Sequence, residues 1–179
     1  TVGPTVLASR PAPGLHWPLA LAQYRGSRLQ PEQWDAIVIG AGQAGPALSV
    51  RLAQAGHRVA LTERQALGGT CVNTGCTPSK TLIASARIGH LLRKAPDFGV
   101  LPGQAPSVDY GRVHERVQSD AGESRSNLEA WLAGTAGLAV IRGHARFQDG
   151  STVSVGDRLL RAPRIFLNVG CLPVYPAWA

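Results

Sequence analysis

The chain has 179 residues, 44% hydrophobic and 16% charged, which suits about one domain with a real core and excludes a disordered chain. Its net charge of +7 is spread from Arg10 to Arg164 with Arg93-Lys94 the only adjacent pair. No helix-turn-helix, zinc-finger or RNA-binding aromatic motif accompanies it, so a phosphate-bearing cofactor is expected and nucleic acid is not. Residues 1–33 are punctuated by Pro4, Pro11, Pro13, Pro18 and Pro31 and keep no apolar period. They read as an extension or linker with at most a short helix.

At Trp34 the pattern changes. Asp35 to Ile39 is a short apolar, β-rich run, read as a buried strand. Gly40 to Gly45 follows, and Ala44, Leu48, Leu52 and Ala55 then recur at helical spacing, with Pro46 in the first turn and Gly56 as a stop. Arg58 to Thr62 reads as a second strand ending at Glu63. A glycine-rich loop leads to Cys71 and Cys76. Leu82, Ile83, Ala86, Leu91 and Leu92 mark an amphipathic helix. Ser107 is the expected cap of another, carrying Tyr110, Val113, Val117, Leu128, Trp131 and Leu132, its middle weakened by Gly122 and Ser124 to Ser126. The last third reads as strands over 138–141, 145–147, 152–155, 158–161 and 164–168, with turns at Asp149-Gly150 and Gly156-Asp157.

Gly40, Gly42 and Gly45 form a G-x-G-x-x-G placed between a strand and a helix, with a second strand and an acid, Glu63, near the expected ~20 residues further on. Gly40 permits the tight turn, Gly42 lets backbone approach a pyrophosphate, and Gly45 lets helix and strand pack closely. The helix N-terminus offers unpaired N–H groups to the phosphates, and Glu63 offers acceptors to ribose hydroxyls. This unit alone leaves FAD and NAD open.

Cys71 and Cys76, separated by four residues, can close a small disulfide ring, with Gly75 easing the curl. Pro78 and the apolar period after it put Cys76 near a helix N-terminus, a place that favours a thiolate, and Lys80 adds positive charge one turn on. Other readings are half of a zinc site, inert buried thiols and a purely structural disulfide. A structural metal is not expected, since His57, His90, His114 and His144 stand apart from any second ligand pair. Three cysteines are too few to staple a secreted domain, and no apolar run reaches the ~18 residues of a membrane span. The expected compartment is the cytoplasm, with no membrane partner.

Gly68-Gly69-Thr70-Cys71-Val72-Asn73-Thr74-Gly75-Cys76-Thr77-Pro78-Ser79-Lys80, with Gly40 to Gly45 upstream, resembles the redox signature of the pyridine nucleotide–disulfide oxidoreductases, in wording nearest to mercuric reductase and its relatives. The resemblance covers about 34–170. It implies an α/β, Rossmann-like FAD-binding domain over 34–171, with a parallel sheet and an antiparallel β meander, incomplete relative to the family, and an unassigned tail over 172–179. It implies FAD bound by Gly40, Gly42, Gln43, Ala44, Gly45 and Glu63 and further by Gly69, Thr70 and Lys80. It also implies adenine contacts from Gly143, His144 and Ala145, and Gly170 close to the cofactor. Cys76 would be the thiolate facing the flavin and Cys71 the interchange thiol. NAD(P)H would be the electron donor, and Hg(II) or a disulfide the small-molecule substrate, within cell redox homeostasis. A dihydrolipoamide dehydrogenase- or glutathione reductase-like enzyme and a non-catalytic FAD-binding fragment are the alternatives.

The match has gaps. Val169 stands where a Thr is usual before Gly170, Cys171 where a small or polar residue is commoner, and no second Gly-x-Gly-x-x-Gly occurs. The family's nicotinamide and dimerisation domains, the latter the basis of its homodimers, have no counterpart in this sequence. With no Met anywhere, the chain is expected to be truncated or processed, not competent alone, and to leave a sheet edge or hydrophobic face uncovered.

Overall fold

Apolar, β-rich runs and helical periods alternate along the chain, and the elements follow them. They are β1 (Glu32–Gln33), β2 (Ala36–Ile39), α1 (Ala44–Gln54), β3 (Val59–Glu63), α2 (Gly69–Asn73), α3 (Cys76–Lys94), α4 (Tyr110–Ala133), β4 (Leu138–Arg142), β5 (Ala145–Phe147), β6 (Thr152–Val155), β7 (Arg158–Arg161) and β8 (Ile165–Leu167). The structure, a computed structural model, describes residues 30–101, 103, 107–171, 174–176 and 178. The extension expected over 1–33 lies outside the described residues as far as 29, as do 172, 173, 177 and 179 of the expected tail.

Four strands make a parallel sheet in the order β4-β3-β2-β8, and four make a second sheet in the order β1-β7-β6-β5. In the second, β5, β6 and β7 are antiparallel neighbours, and β1 adds a parallel edge. The strands of the parallel sheet are covered on both faces, which is why they read as continuous apolar runs without alternation. Ala36, Val38, Val59 and Leu61 face Val50 and Ala53 of α1 and Leu132 of α4. Ile37, Ala60 and Ile141 face Val153, Val155 and Leu160 of the meander. Ile37, Val38 and Leu61 are fully buried, each such side chain contributing about 1.5–3 kcal/mol. The α/β architecture with a parallel sheet and a meander is as expected.

Several details differ from expectation. The face of α1 that meets the sheet carries Gly45, Pro46, Ser49, Val50 and Ala53, while Leu48 and Leu52 pack only at its edge. The phase is shifted because α1 lies so close to the strands that small side chains win over large ones. Ahead of Trp34, β1 adds an edge to the second sheet, pairing with β7 in register Glu32↔Leu160. Helix α4 begins at Tyr110, capped by Asp109, whose Oδ1 accepts from the N–H of Arg112 (3.1 Å), and not at Ser107. It runs unbroken through Gly122, and the Ser124 hydroxyl is absorbed by donating to the Asp120 carbonyl (2.8 Å). Tyr110 and Trp131 are exposed, and the buried residues of α4 are Val117, Ala121 and Leu132.

The largest difference is in α3. Its expected apolar face is on the surface: Leu82, Ile83, Leu91 and Leu92 are all exposed, and Thr81 is its one buried residue. The Thr81 hydroxyl donates to Asp120 Oδ2 (2.8 Å), and Arg116 Nη1 donates to the Thr81 carbonyl (3.3 Å) and to Ser85 Oγ (3.2 Å). A polar latch therefore holds α3 to α4. The apolar residues lie on more than one side of α3, so a single neighbouring helix covers only part of them.

At the other edge Arg158 grips Glu32 through Nε (2.8 Å) and Nη2 (2.7 Å). The Arg158 guanidinium holds the Glu32 carboxyl below its ordinary range. A lowered carboxylate adds stability above its unfolded value, near pH 4.3, and loses it as pH falls through the folded value. Glu32→Gln is expected to lower stability at pH 7 by under ~1 kcal/mol, because the pair is partly solvated. The difference should shrink in acid, read as urea midpoints at pH 7 and pH 3.

Candidate functional site

The chain runs outward from β2 to β3 and β4, then returns on the other side of β2 as β8. That reversal puts a topological switch point at the carboxyl ends of β2 and β8, where open parallel sheets bind ligands. Gly40 leaves β2 with φ +104°, and a Cβ on it would collide with the Asn168 carbonyl at the end of β8. A Cβ on Gly45 would collide with the Gly40 carbonyl oxygen. Gly42 differs: nothing lies within 4 Å of where its Cβ would stand. Two of the three glycines thus serve close packing, and the middle one presents bare backbone to open space.

Helix α1 starts behind this turn with no side chain capping its N-terminus and no acid in its first turn. Its N–H groups and dipole remain available to an anion. Glu63 ends β3 beside it. Its Oε2 accepts from the Ala41 N–H (2.7 Å) and its Oε1 from the Gln65 N–H (2.8 Å). A carboxylate has about four acceptor sites, so capacity remains for hydroxyls. Gly143 N–H donates to the Glu63 carbonyl (2.9 Å), tying the start of the meander to the same edge. His144 is exposed and Ala145 opens β5. Gly170 follows β8 with φ +70°.

The cysteine loop docks directly on the glycine turn. Gly68 N–H donates to the Ala41 carbonyl (2.8 Å), and Gln43 Nε2 donates to the Gly68 carbonyl (3.4 Å). A Cβ on Gly69 would stand 2.8 Å from Gly42 Cα, so backbone lies on backbone. Gly75 closes the curl, since a Cβ there would stand 3.0 Å from the Thr70 carbonyl oxygen and 3.4 Å from Cys71 Cα. This brings Cys76, the first residue of α3, back to Cys71 in α2. Cys71 is half-buried and Cys76 exposed, both as free thiols. The neighbouring Cys76 thiol, and after it burial, push the Cys71 thiol above its ordinary value, while the Lys80 charge draws it back.

The structure therefore gathers Gly40, Gly42, Gln43, Gly45, Glu63, Gly69, Cys71, Cys76 and Gly143 along one edge. Ala44 and Thr70 are exposed at the starts of α1 and α2, and Lys80 is exposed on α3. Cys171 is exposed just past Gly170, and among the described residues no three His, Cys, Asp or Glu side chains group as metal ligands.

Three residues of the site were given no role in the sequence reading. Asn168 blocks the Cβ position of Gly40 with its carbonyl, and its Nδ2 stands in ordinary contact, 3.4 Å, with that of Gly45. Asn73, inside the cysteine loop, donates through Nδ2 to the carbonyls of Leu67 (2.9 Å) and Gly69 (2.8 Å). Arg125 of α4 donates from Nη1 to Asn73 Oδ1 (3.1 Å). The available signal for Asn73 was a carboxamide, which carries both donors and an acceptor, between two glycine bends. For Arg125 no local signal exists.

Known proteins share this arrangement. The HOCl-induced flavoprotein disulfide reductase RclA from Escherichia coli superposes with a TM-score of 0.67 at 32% identity, covering 80% of this chain and 29% of that one. Mercuric reductase from Acidithiobacillus ferrooxidans is 37% identical over 151 residues, 81% of this chain and 28% of that protein. Dihydrolipoyl dehydrogenase from Acholeplasma laidlawii is 28% identical over 145 residues, 81% of this chain and 43% of that protein. Fold and likeness together define the FAD-binding fold of a flavoprotein disulfide reductase. With residues 34–178 matching its family model, the chain belongs to the pyridine nucleotide-disulphide oxidoreductases, a family of flavin-dependent oxidoreductases. It spans less than half the length of these relatives.

Proposed function

We propose that residues 34–171 are the FAD-binding portion of a mercuric reductase-like flavin-dependent oxidoreductase, with Cys71 and Cys76 as its redox pair. The observation that carries this reading is the contact of Gly69 on Gly42, which fixes the sulfur pair against the turn where a dinucleotide pyrophosphate would lie. The residues fit FAD. The α1 N-terminus and the open face of Gly42 take the pyrophosphate, Glu63 takes a ribose, and Gly143 to Ala145 offer backbone to adenine. By the family resemblance Thr70, Lys80 and Gly170 would also meet the cofactor, Lys80 near the flavin ring. When bound, the flavin supplies a two-electron carrier between NAD(P)H and the sulfurs.

The protein's own part is to keep two thiols adjacent, one half-buried and one exposed. Together they present soft sulfur ligands to Hg(II) or exchange with a disulfide. Hg(II) is the preferred substrate on the 37% identity to a mercuric reductase. A disulfide is the second reading, favoured by the likeness to a flavoprotein disulfide reductase. A cycling thiol pair suits a reducing compartment such as the cytoplasm.

The test is reconstitution with FAD, followed by one equivalent of dithiol. A long-wavelength absorbance band should appear and should be lost in Cys76→Ser. Well-folded protein that stays colourless after added FAD would sink the cofactor assignment.

A further inference from the structure

Asn73 is the junction on which the cysteine loop hangs. Gly68 and Gly69 both take left-handed conformations, φ +94° and +58°, so the chain entering α2 has no regular ladder. The Asn73 carboxamide spans this bend, its Nδ2 donating to Leu67 O (2.9 Å) and Gly69 O (2.8 Å). Leu67 is buried in the sheet-and-helix core, so one end of the clamp is anchored. The remaining acceptor, Oδ1, is held by Arg125 from α4 (3.1 Å). Asn73 lies between the two cysteines, two residues past Cys71.

We infer that Asn73, held by Arg125, is a positioning residue for the sulfur pair: it sets the distance between Cys71 and Cys76 and so the ease with which they close a disulfide. The inference deepens the proposed redox role of that pair and rests on it. Closing the ring confines the loop, and a loop already confined loses less entropy on closure. Asn73→Asp keeps size and the Oδ1 acceptor but removes both donors and turns a carboxylate toward two carbonyl oxygens. Arg125→Gln removes the outer support alone, from an exposed site on a long helix.

The experiment equilibrates the full chain with glutathione buffers. In the reaction, protein dithiol and one oxidised glutathione give protein disulfide and two reduced glutathiones, with two electrons and two protons leaving Cys71 and Cys76. Asn73→Asp is expected to lower the equilibrium constant for closure about tenfold, a midpoint rise of ~30 mV. Arg125→Gln should shift it the same way by about threefold, ~14 mV. A loop residue that merely stabilised the fold would move the thermal midpoint and leave this equilibrium alone. If both variants close the pair within about twofold of the parent, the inference is overturned and the proposed function stands. If the parent pair never oxidises reversibly, both fall. If Asn73→Asp does not fold, Arg125→Gln decides.

Discussion

Gly45→Ala is expected to cost about 3 kcal/mol of stability and Gly42→Ala almost none, while both weaken FAD binding. The added carbon at Gly45 meets the Gly40 carbonyl, and that peptide is itself pinned against Asn168. No flexible side chain can yield, so α1 must lift from β2 and β8, and overpacking of this kind costs about 1–3 kcal/mol or more. At Gly42 the new methyl enters open space, and a substitution with no neighbour is usually within about 0.5 kcal/mol. That same open space is where the pyrophosphate backbone contact is expected. Displacing the phosphates should weaken FAD by about 100-fold, ~2.7 kcal/mol, in either variant. Urea unfolding reads the first effect and flavin fluorescence titration the second. Gly42→Ala that bound FAD with parental affinity would remove the pyrophosphate from this turn.

The strands of the meander were legible almost to the residue: 152–155 and 158–161 coincide with β6 and β7. Their signal is local, two short runs separated by Gly156-Asp157, and hairpin pairing needs nothing from afar. Gly40 to Gly45 was legible for the same reason, since strand, turn and helix are consecutive. What sequence reading missed depends on distance. The buried face of α1 is decided by how near the helix comes to β2 and β8, and β8 is more than 100 residues away. Hydrophobic size marked Leu48 and Leu52, while closeness selected Gly45, Ser49 and Ala53. The periodicity of α3 was real, but period alone does not say that a neighbour exists on every side. The docking of Gly69 on Gly42 and of Arg125 on Asn73 joins segments whose local patterns are independent. Only the motif wording, not any spacing rule, tied the cysteine loop to the glycine turn before the structure did.

The second large effect concerns which sulfur reacts. The Cys71 thiol is held above its ordinary value chiefly by the neighbouring Cys76 thiol. A raised thiol keeps its proton to higher pH, so its thiolate fraction, and with it alkylation, is suppressed near neutrality. Cys76→Ala removes the neighbouring sulfur, and the Lys80 charge, which favours the Cys71 thiolate, is then opposed by burial alone. The pH profile for labelling of Cys71 by iodoacetamide should therefore move to lower pH in Cys76→Ala. Labelling at pH 7.5 should accelerate accordingly. Peptide mapping by mass spectrometry separates Cys71 from Cys171. Cys171→Ser serves as the control and should leave the profile of Cys71 in place. Cys76→Ala also abolishes ring closure outright, because no second sulfur lies within the loop. An unchanged Cys71 profile would mean that the two thiols do not share a proton, and the exchange chemistry assigned to the pair would lose its physical basis.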